Sequence, residues 1–225
     1  MTRPFSATKS AFLKLYPRPV HPLYRRVVEE LMVELHLDTV NQAFVYDPFF
    51  ALGVMTVSQT LLEGYPVAEQ APVIMAAMCR ALQLKPEILQ EDAQKLTDLL
   101  KGDPHNGWLL LQRHPEAQDR NGLKEILTRI ADPKYHYSRI LGIGMYTAFQ
   151  MAAPTGENSQ ERFLALMADT YAFSREQVKK DLSLYQNAQE RMKQARVVAE
   201  DMVKAARRQK EQQKEQRRNP AGTGS

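Results

Sequence analysis

The sequence predicts an all-α protein in which a single multi-helix globular domain is followed by a long C-terminal helix, itself a candidate for a weak coiled coil. Three observations support this prediction. Apolar residues recur at helical spacing through most of the chain, strand-forming patterns are scarce, and no glycine or proline interrupts residues 174–219. With 225 residues, 44% apolar and 25% charged, the composition is that of an ordinary globular domain with an extension.

The N-terminal part of the chain predicts two helices joined by an extended segment. Ser6 or Thr8 opens a short helix that carries Phe12 and Leu15. Three prolines within residues 17–22 then favour extended backbone, because each removes a backbone donor and restricts the residue before it. A longer helix is expected over residues 23–37, and its apolar side chains recur on one face: Val27, Val28, Leu31 and Leu35.

The most apolar predicted helix is expected at the centre of the fold. Asp47-Pro48 provides an N-cap and a proline at the first helical position, and Gly64 predicts an end near Glu63. The helix between them is apolar on most sides, which is typical of a buried helix. The preceding residues 43–46 have strand-like composition, but they have no evident partner strand and are interpreted as a loop.

The middle of the chain carries signals for five shorter helices, several of which start near a proline or stop at a glycine. They are expected at about residues 69–83, 86–101, 120–131, 136–151 and 159–172. Residues 103–107 are predicted to form a turn, because Asp-Pro and Asn-Gly pairs favour turns. Gly142 and Gly144 stand in a helical context, which indicates close helix packing rather than phosphate binding.

The C-terminal stretch predicts one long helix. Ser174 to Gln177 has the form of a capping box, and the residues that follow are rich in Ala, Glu, Lys, Arg and Gln. One seam of residues spaced by seven is apolar or small, but the complementary seam is poor, so a coiled coil would be weak. The predicted organisation is a helical globular domain at 1–173, a long basic helix at 174–218 and a disordered tail at 219–225.

The distribution of charge indicates contact with other macromolecules. The net charge is +4, yet residues 175–218 hold 13 Lys/Arg against 7 Asp/Glu, a local charge of +6. Such a helix attracts anionic lipid, nucleic acid or an acidic protein surface. Because residues 204–218 contain no aromatic side chain to stack on bases, we expect a membrane-surface or protein contact and no nucleic acid.

No residue pattern indicates chemistry. The familiar catalytic and phosphate-binding motifs are missing, and we assign no catalytic, cofactor-binding or metal-binding residue. Cys79 is the single cysteine, which fits a reducing compartment, and its Ala and Met neighbours indicate a core residue. Glu29 and His36, the nearest approach to a metal-ligating pair, are interpreted as solvated charges. We expect no transmembrane helix and no signal peptide.

Several short motifs make the chain similar to a known family. They are Thr8 to Phe12, Tyr24 to Leu31, Phe44 to Gly53, Gly64 to Pro66, and Tyr137 to Gly144. In this order they resemble the thylakoid formation family, also called the photosystem II biogenesis protein family, over most of residues 6–150. The resemblance implies a non-catalytic accessory protein of a cyanobacterium. Its implied role is to support photosystem II repair and thylakoid biogenesis by binding and maintaining FtsH-type membrane proteases.

The resemblance also implies where the protein works. The expected location is the cytoplasmic side of the thylakoid membrane, with peripheral attachment. The implied partner is the FtsH-type membrane protease complex, and photosystem II components are indirect partners. The basic C-terminal helix adds a candidate contact with the anionic membrane surface, and no cofactor is expected.

Exposed aromatic and arginine side chains within these motifs are the candidate partner contacts, because such residues dominate binding hot spots. The candidates are Tyr24, Arg25, Arg26, Tyr46 and Arg139. An alternative function is that of a pigment- or cofactor-binding protein in photosystem turnover. That alternative predicts a pocket among Trp108, Tyr135, Tyr137 and the histidines.

Overall fold

The computed structural model describes residues 3–153, 156 and 158–218. These residues form ten α-helices and no strand, which confirms the predicted all-α fold with a long C-terminal helix. The helices are α1 Phe5–Leu15, α2 Pro22–Val40, α3 Pro48–Leu62, α4 Gln70–Ala81, α5 Pro86–Gly102, α6 Pro104–Leu111, α7 Leu123–Ile130, α8 Arg139–Ala152, α9 Ser159–Asp169 and α10 Arg175–Arg218.

The central helix is α3, as its composition predicts. Ten of its fifteen residues are buried. It packs most extensively against α8 and α5, and α2 contacts it as well. Asp47 caps the helix, and its Oδ1 accepts hydrogen bonds from the backbone N–H groups of Phe49 and Phe50 at 2.8 and 2.9 Å.

Two glycines allow α3 and α8 to cross in close contact. A Cβ on Gly53 would overlap the carbonyl oxygen of Ile140, and one on Gly144 would overlap that of Phe49. Backbone atoms in a packed core cannot move aside easily, so a larger residue at either position would separate the two helices. The prediction that Gly144 serves close helix packing is therefore confirmed.

The predicted turn at residues 103–107 is wrong, because this segment begins helix α6. Asp103 is the N-cap: its Oδ1 accepts from the backbone N–H of Asn106 at 3.1 Å, and Pro104 takes the first helical position. An Asp-Pro pair favours either a turn or a helix start. The same pair at Asp47-Pro48 starts α3, so the sequence allows a helix start at both Asp-Pro pairs.

The other helix limits agree with the predictions to within a few residues. The main difference is α2, which continues to Val40, where the hydroxyl of Thr39 donates to the carbonyl of Leu35 at 2.9 Å. Helix α9 ends at Asp169 rather than at 172, and Ala172 adopts a left-handed backbone with φ of 55°. Residues 43–46 lie in a loop, as predicted.

The contacts within the chain divide it into two units, Met1–Gln186 and Asn187–Ser225. The first unit holds α1 to α9 and the start of α10, where Val178 and Leu182 are buried. In the second unit, residues 187–218 continue the helix. The division into 1–173, 174–218 and 219–225 stays a prediction, as does the weak coiled coil, and the predicted disordered tail lies outside the described residues.

Candidate functional site

Two of the candidate partner contacts, Arg25 and Arg26, are exposed on α2 as predicted. The guanidinium of Arg26 donates from Nε to Glu30 Oε1 at 2.8 Å, in an ion pair whose two side chains both face solvent. A surface pair of this kind contributes little to stability. Both arginines are therefore available to a partner at small cost to the fold.

The prediction that Tyr24 is exposed is wrong. Its side chain is fully buried, its hydroxyl donates to the carbonyl of Glu63 at 2.9 Å, and its ring lies 4.9 Å from that of Tyr65. Tyr24 lies one helical turn before Val28, on the buried face of α2. It therefore attaches the start of α2 to the end of α3, and it is no surface contact in this structure.

Tyr46 and Arg139 are half-buried rather than exposed. The hydroxyl of Tyr46 donates to Asp92 Oδ2 at 2.7 Å and so joins the loop before α3 to α5. Burial, and then the Asp92 carboxylate, raise the pKa of Tyr46 well above its usual range. The role of Tyr46 and Arg139 in partner contact stays a prediction. Several charged side chains surround Arg139.

Arg139 lies in a surface cleft of about 640 Å³ formed by α1, α2 and the starts of α8 and α10. We call it the acidic cleft. Its charged lining residues are Lys9, Glu29, Glu30, Glu34, Asp38, Arg139 and Asp181. The remaining lining residues are Phe5, Val33, Leu37, Tyr137, Ser138 and Gln177. Five carboxylates therefore face two cationic side chains.

Helical spacing places three of these carboxylates on one face of α2. Glu30, Glu34 and Asp38 follow one another at intervals of four along α2, so they project from the same side of that helix. On α10, Gln177 and Asp181 have the same spacing. The sequence contains this periodicity, but it does not indicate that the two faces meet.

Arg139 connects the acidic face of α2 with Asp181 on α10. Its Nε lies 3.3 Å from Glu34 Oε1 and 3.3 Å from Asp181 Oδ1. Asp181 is almost fully buried, and its Oδ2 accepts a hydrogen bond from Gln177 Nε2 at 2.9 Å. Arg139 occupies the first position of α8, where Ser138 caps the helix by accepting from the backbone N–H of Leu141 at 3.2 Å.

Burial changes the protonation of the cleft. It raises the pKa of Asp38 to about 7, although the neighbouring Ser138 and Arg139 oppose this effect. Burial also raises the pKa of Glu34, against the attraction of Arg139. The pKa of Tyr137 is raised by burial and by the Asp181 carboxylate, so its hydroxyl keeps its proton. The carboxylates of the acidic cleft can therefore bind a positively charged group.

His36 and Glu29 on α2, interpreted from the sequence as solvated charges, do not form a solvated pair. His36 is buried, and its Nδ1 lies 3.0 Å from the hydroxyl of Thr8 on α1. Burial and the charge of Arg3 lower the pKa of His36. Glu29 instead pairs with Lys9 at 2.9 Å. Across the part of the chain that the structure describes, no group of three or more His, Cys, Asp or Glu residues is arranged to hold a metal ion.

The aromatic residues proposed for a pigment pocket have different neighbours. The Trp108 ring packs edge-on against Phe149, with its centroid 5.6 Å away. Tyr135 donates to Asp47 Oδ2, and the Tyr137 ring lies 5.1 Å from that of Phe173. Each aromatic side chain therefore has a local packing role, and the pigment-binding alternative stays a prediction.

Cys79 is a core residue, as predicted. Its side chain is fully buried, and burial raises the pKa of its thiol to about 12. Because the thiolate is the nucleophilic form, the sulfur of Cys79 is held in its unreactive form at neutral pH.

The described chain is thus an all-helical protein that carries a charged cleft on the surface of its first unit. The model of the thylakoid formation protein family matches residues 5–214, and the chain belongs to this family. It is 52% identical to Protein Thf1 of Synechococcus sp. strain JA-2-3B'a(2-13), an alignment that covers 93% of this chain and 90% of the relative. Protein Thf1 of Synechocystis sp. strain PCC 6803 is 35% identical, over 94% and 90% of the two chains.

A solved structure supports the same assignment. The structure of Psb29 at 1.55 Å superimposes with a TM-score of 0.80 and 33% sequence identity, and the match covers 92% of this chain and 98% of that one. Among the helices in the described ranges, none has the length and apolar character needed to cross a membrane.

Proposed function

We propose that this protein is a non-catalytic accessory protein for photosystem II repair and thylakoid biogenesis. In this role it binds and maintains FtsH-type membrane proteases on the cytoplasmic side of the thylakoid membrane. One observation carries the proposal: the family match extends over residues 5–214, so it includes the long C-terminal helix as well as the helical body. The family itself is a thylakoid formation family, which supports the location.

The surface chemistry supports a binding role. The acidic cleft offers carboxylates for contact, and the exposed pair Arg25 and Arg26 offers cations on the same helix α2. Arginine and charged rims are common features of protein interfaces. The buried thiol of Cys79, held in its protonated form, is unsuited to nucleophilic catalysis.

The basic helix supports peripheral attachment to the membrane. Residues 187–218 contain ten Lys/Arg and five Asp/Glu, a net charge of +5. An anionic membrane surface attracts such a segment, with about 1 kcal/mol for each basic residue near the surface.

Affinity purification tests the proposal directly. The tagged protein is purified from gently solubilised cyanobacterial thylakoids, and co-purifying proteins are identified by mass spectrometry. We expect FtsH-type subunits to be enriched over an untagged strain. Photosystem or pigment-handling proteins in place of protease subunits would contradict the proposal and favour the pigment-binding alternative.

Charge reversal on α2 tests the contact residues. Arg25→Glu with Arg26→Glu is expected to reduce the recovery of the protease subunits, because both side chains are exposed and lie within a family motif. The matched control is Lys179→Glu with Lys180→Glu, an adjacent exposed basic pair on α10 that changes net charge equally. An equal loss in both variants would assign the effect to overall charge and remove these arginines from the interface.

A further inference from the structure

The acidic cleft contains an unusual concentration of buried polar atoms without hydrogen bonds. Five such side-chain atoms occur among the residues that the structure describes, and three of them lie in this cleft. They are Glu34 Oε1, Asp38 Oδ2 and the hydroxyl of Tyr137. The Tyr137 hydroxyl faces the Asp181 carboxylate, and Ser138 neighbours the Asp38 carboxyl. Buried polar groups are nearly always hydrogen-bonded in folded proteins, so the open oxygens of Glu34 and Asp38 are the atoms available to a donor from outside the chain.

Asp38 carries the strongest part of this observation. Asp38 is only 7% exposed, and yet its Oδ2 has no hydrogen-bond partner among the residues that the structure describes. Arg139, the nearby cation, is engaged with Glu34 and Asp181. The ion pair between Glu34 and Arg139 lacks hydrogen-bond geometry, so the Glu34 oxygen also retains capacity for a donor.

The chemistry of the cleft selects the kind of donor. Five carboxylates face Lys9 and Arg139, and Arg26 pairs with Glu30 at the edge of the cleft, which leaves a net charge of −2 when all groups are ionised. A metal ion is disfavoured, since the His, Cys, Asp and Glu residues in the described ranges form no group with metal-binding geometry. A guanidinium group has five N–H donors in a planar fork and matches carboxylate oxygens.

The rim of the cleft adds an apolar surface. Val33 is 38% exposed and Leu37 is 62% exposed, and both lie on α2 beside the carboxylates. The cleft therefore combines a polar interior with an aliphatic edge. A peptide segment in which arginine is flanked by aliphatic side chains is complementary to both features.

We propose that the acidic cleft binds an arginine side chain from an apolar-basic segment of a partner protein. The guanidinium donates to the open oxygens of Glu34 and Asp38, and the aliphatic neighbours of the arginine pack on Val33 and Leu37. This inference goes beyond the proposed function, because it identifies a recognition chemistry on the chain that does not depend on an FtsH-type partner.

A peptide-binding experiment with purified components tests the proposal. The probe is a short, fluorescently labelled peptide in which arginine and leucine alternate, and its binding to the full chain is followed by anisotropy at low ionic strength. Peptides with citrulline or lysine in place of arginine are the comparisons. We expect the arginine peptide to bind saturably, and the citrulline peptide, which keeps the shape without the charge, to bind at least about tenfold more weakly.

Two matched protein variants locate the binding site. Glu34→Gln with Asp38→Asn is expected to weaken binding of the arginine peptide by at least about tenfold. Glu87→Gln with Glu91→Gln removes two carboxylates at the same spacing from the exposed face of α5 and is expected to leave binding unchanged. Circular dichroism of each variant confirms that the helical fold is retained.

Several outcomes would overturn the proposal. These are no binding of the arginine peptide, equal binding of the citrulline peptide, or equal weakening by the two variant pairs. A wild-type dimer that becomes monomeric only in the Glu34→Gln, Asp38→Asn variant would assign the cleft to a second copy of this chain. Because every component is purified, these outcomes are independent of whether protease subunits are recovered from thylakoids.

Discussion

At the residue scale, Asp38 shows how the acidic cleft links protonation to stability. This carboxyl is buried on α2, and one of its oxygens lacks a hydrogen-bond partner within the described part of the chain. An ionised carboxylate in such a place costs free energy, which is why its pKa rises to about 7. Ionisation of Asp38 above neutral pH therefore gives the cleft a carboxylate that can bind a cation. It also lowers the stability of the protein when no cation is bound.

We predict that Asp38→Asn stabilises the protein above pH 7. Between the ordinary pKa of 3.8 and about 7, the folded state holds a proton on Asp38 that the unfolded state has released. The free energy of unfolding therefore falls as pH rises through this window, by up to about 4 kcal/mol from this group. Urea unfolding at several pH values should show a higher stability of Asp38→Asn at pH 8 and a shallower slope across the window.

Asp98→Asn is the control for this pH dependence, since Asp98 is an exposed carboxyl on α5. It should keep the slope of the wild-type protein. A loss of stability in Asp38→Asn that is equal at acidic and alkaline pH would show that the carboxylate is favourably bound in the fold.

The Asp47 carboxylate differs from that of Asp38, because it accepts several hydrogen bonds. It accepts from two backbone N–H groups at the start of α3 and from the hydroxyl of Tyr135. We predict that Asp47→Ala lowers the free energy of unfolding by about 2–4 kcal/mol, because it removes the N-cap and leaves the half-buried Tyr135 hydroxyl with only the more distant carbonyl of Val45, at 3.3 Å, as acceptor. Asp103→Ala, which removes the more exposed cap of α6, should cost less in the same urea titration.

An Asp47→Asn variant separates the two contributions. Asparagine is also a good N-cap, so most of the stability should remain. A cost for Asp47→Asn as large as that for Asp47→Ala would show that charge, and not capping, dominates at this position.

At the element scale, the crossing of α3 and α8 determines how the core is built. The two helices approach through Gly53 and Gly144, with backbone oxygens where a Cβ would otherwise lie. Such an approach has no space for adjustment, because packed backbone is not compressible. The crossing also orients α8, whose first residue is Arg139, and so it contributes to the geometry of the acidic cleft.

We predict that Gly53→Ala and Gly144→Ala each lower the free energy of unfolding by about 2–3 kcal/mol or more, because the added methyl overlaps a carbonyl oxygen. The control is Gly102→Ala at the end of α5, where a Cβ would meet nothing within 4 Å. That change should be neutral or stabilising by up to about 1 kcal/mol. Wild-type stability in Gly53→Ala, measured by chemical denaturation, would contradict the close crossing.

At the scale of the whole molecule, the two units carry different chemistry. The first unit has a buried core and the acidic cleft, whereas residues 187–218 carry the excess of positive charge. The first turns of α10 belong to the first unit: Val178 and Leu182 are buried there, and Asp181 pairs with Arg139. Removal of residues from 187 onward therefore takes away the basic helix without removing these core side chains.

We predict that the full chain floats with vesicles that contain anionic phosphatidylglycerol and not with neutral vesicles, because the basic helix is attracted to negative surface charge. Truncation after Gln186 should abolish flotation while the truncated protein keeps its cooperative thermal transition. Truncation after Phe173 should instead lower the melting temperature, since it removes buried Val178 and Leu182. Flotation that is unchanged after truncation at Gln186 would assign membrane contact to the first unit.

The sequence by itself determined the class of the fold, most helix limits and the family. Those signals are local: Asp47-Pro48 and Ser174 to Gln177 specify helix starts within four residues, and the apolar composition of α3 indicates its burial. Even the error at residues 103–107 is local, because Asp-Pro serves both a turn and a helix start.

Only the tertiary structure decided which of these residues meet. Tyr24 is part of a family motif and is also fully buried against Tyr65, and the sequence pattern does not separate exposed from buried members of a motif. The acidic cleft brings Glu34 on α2, Arg139 on α8 and Asp181 on α10 together across more than 140 positions of the sequence. Helix signals arise within a few residues, whereas this cleft depends on how the helices pack around α3, and packing is a property of the whole fold.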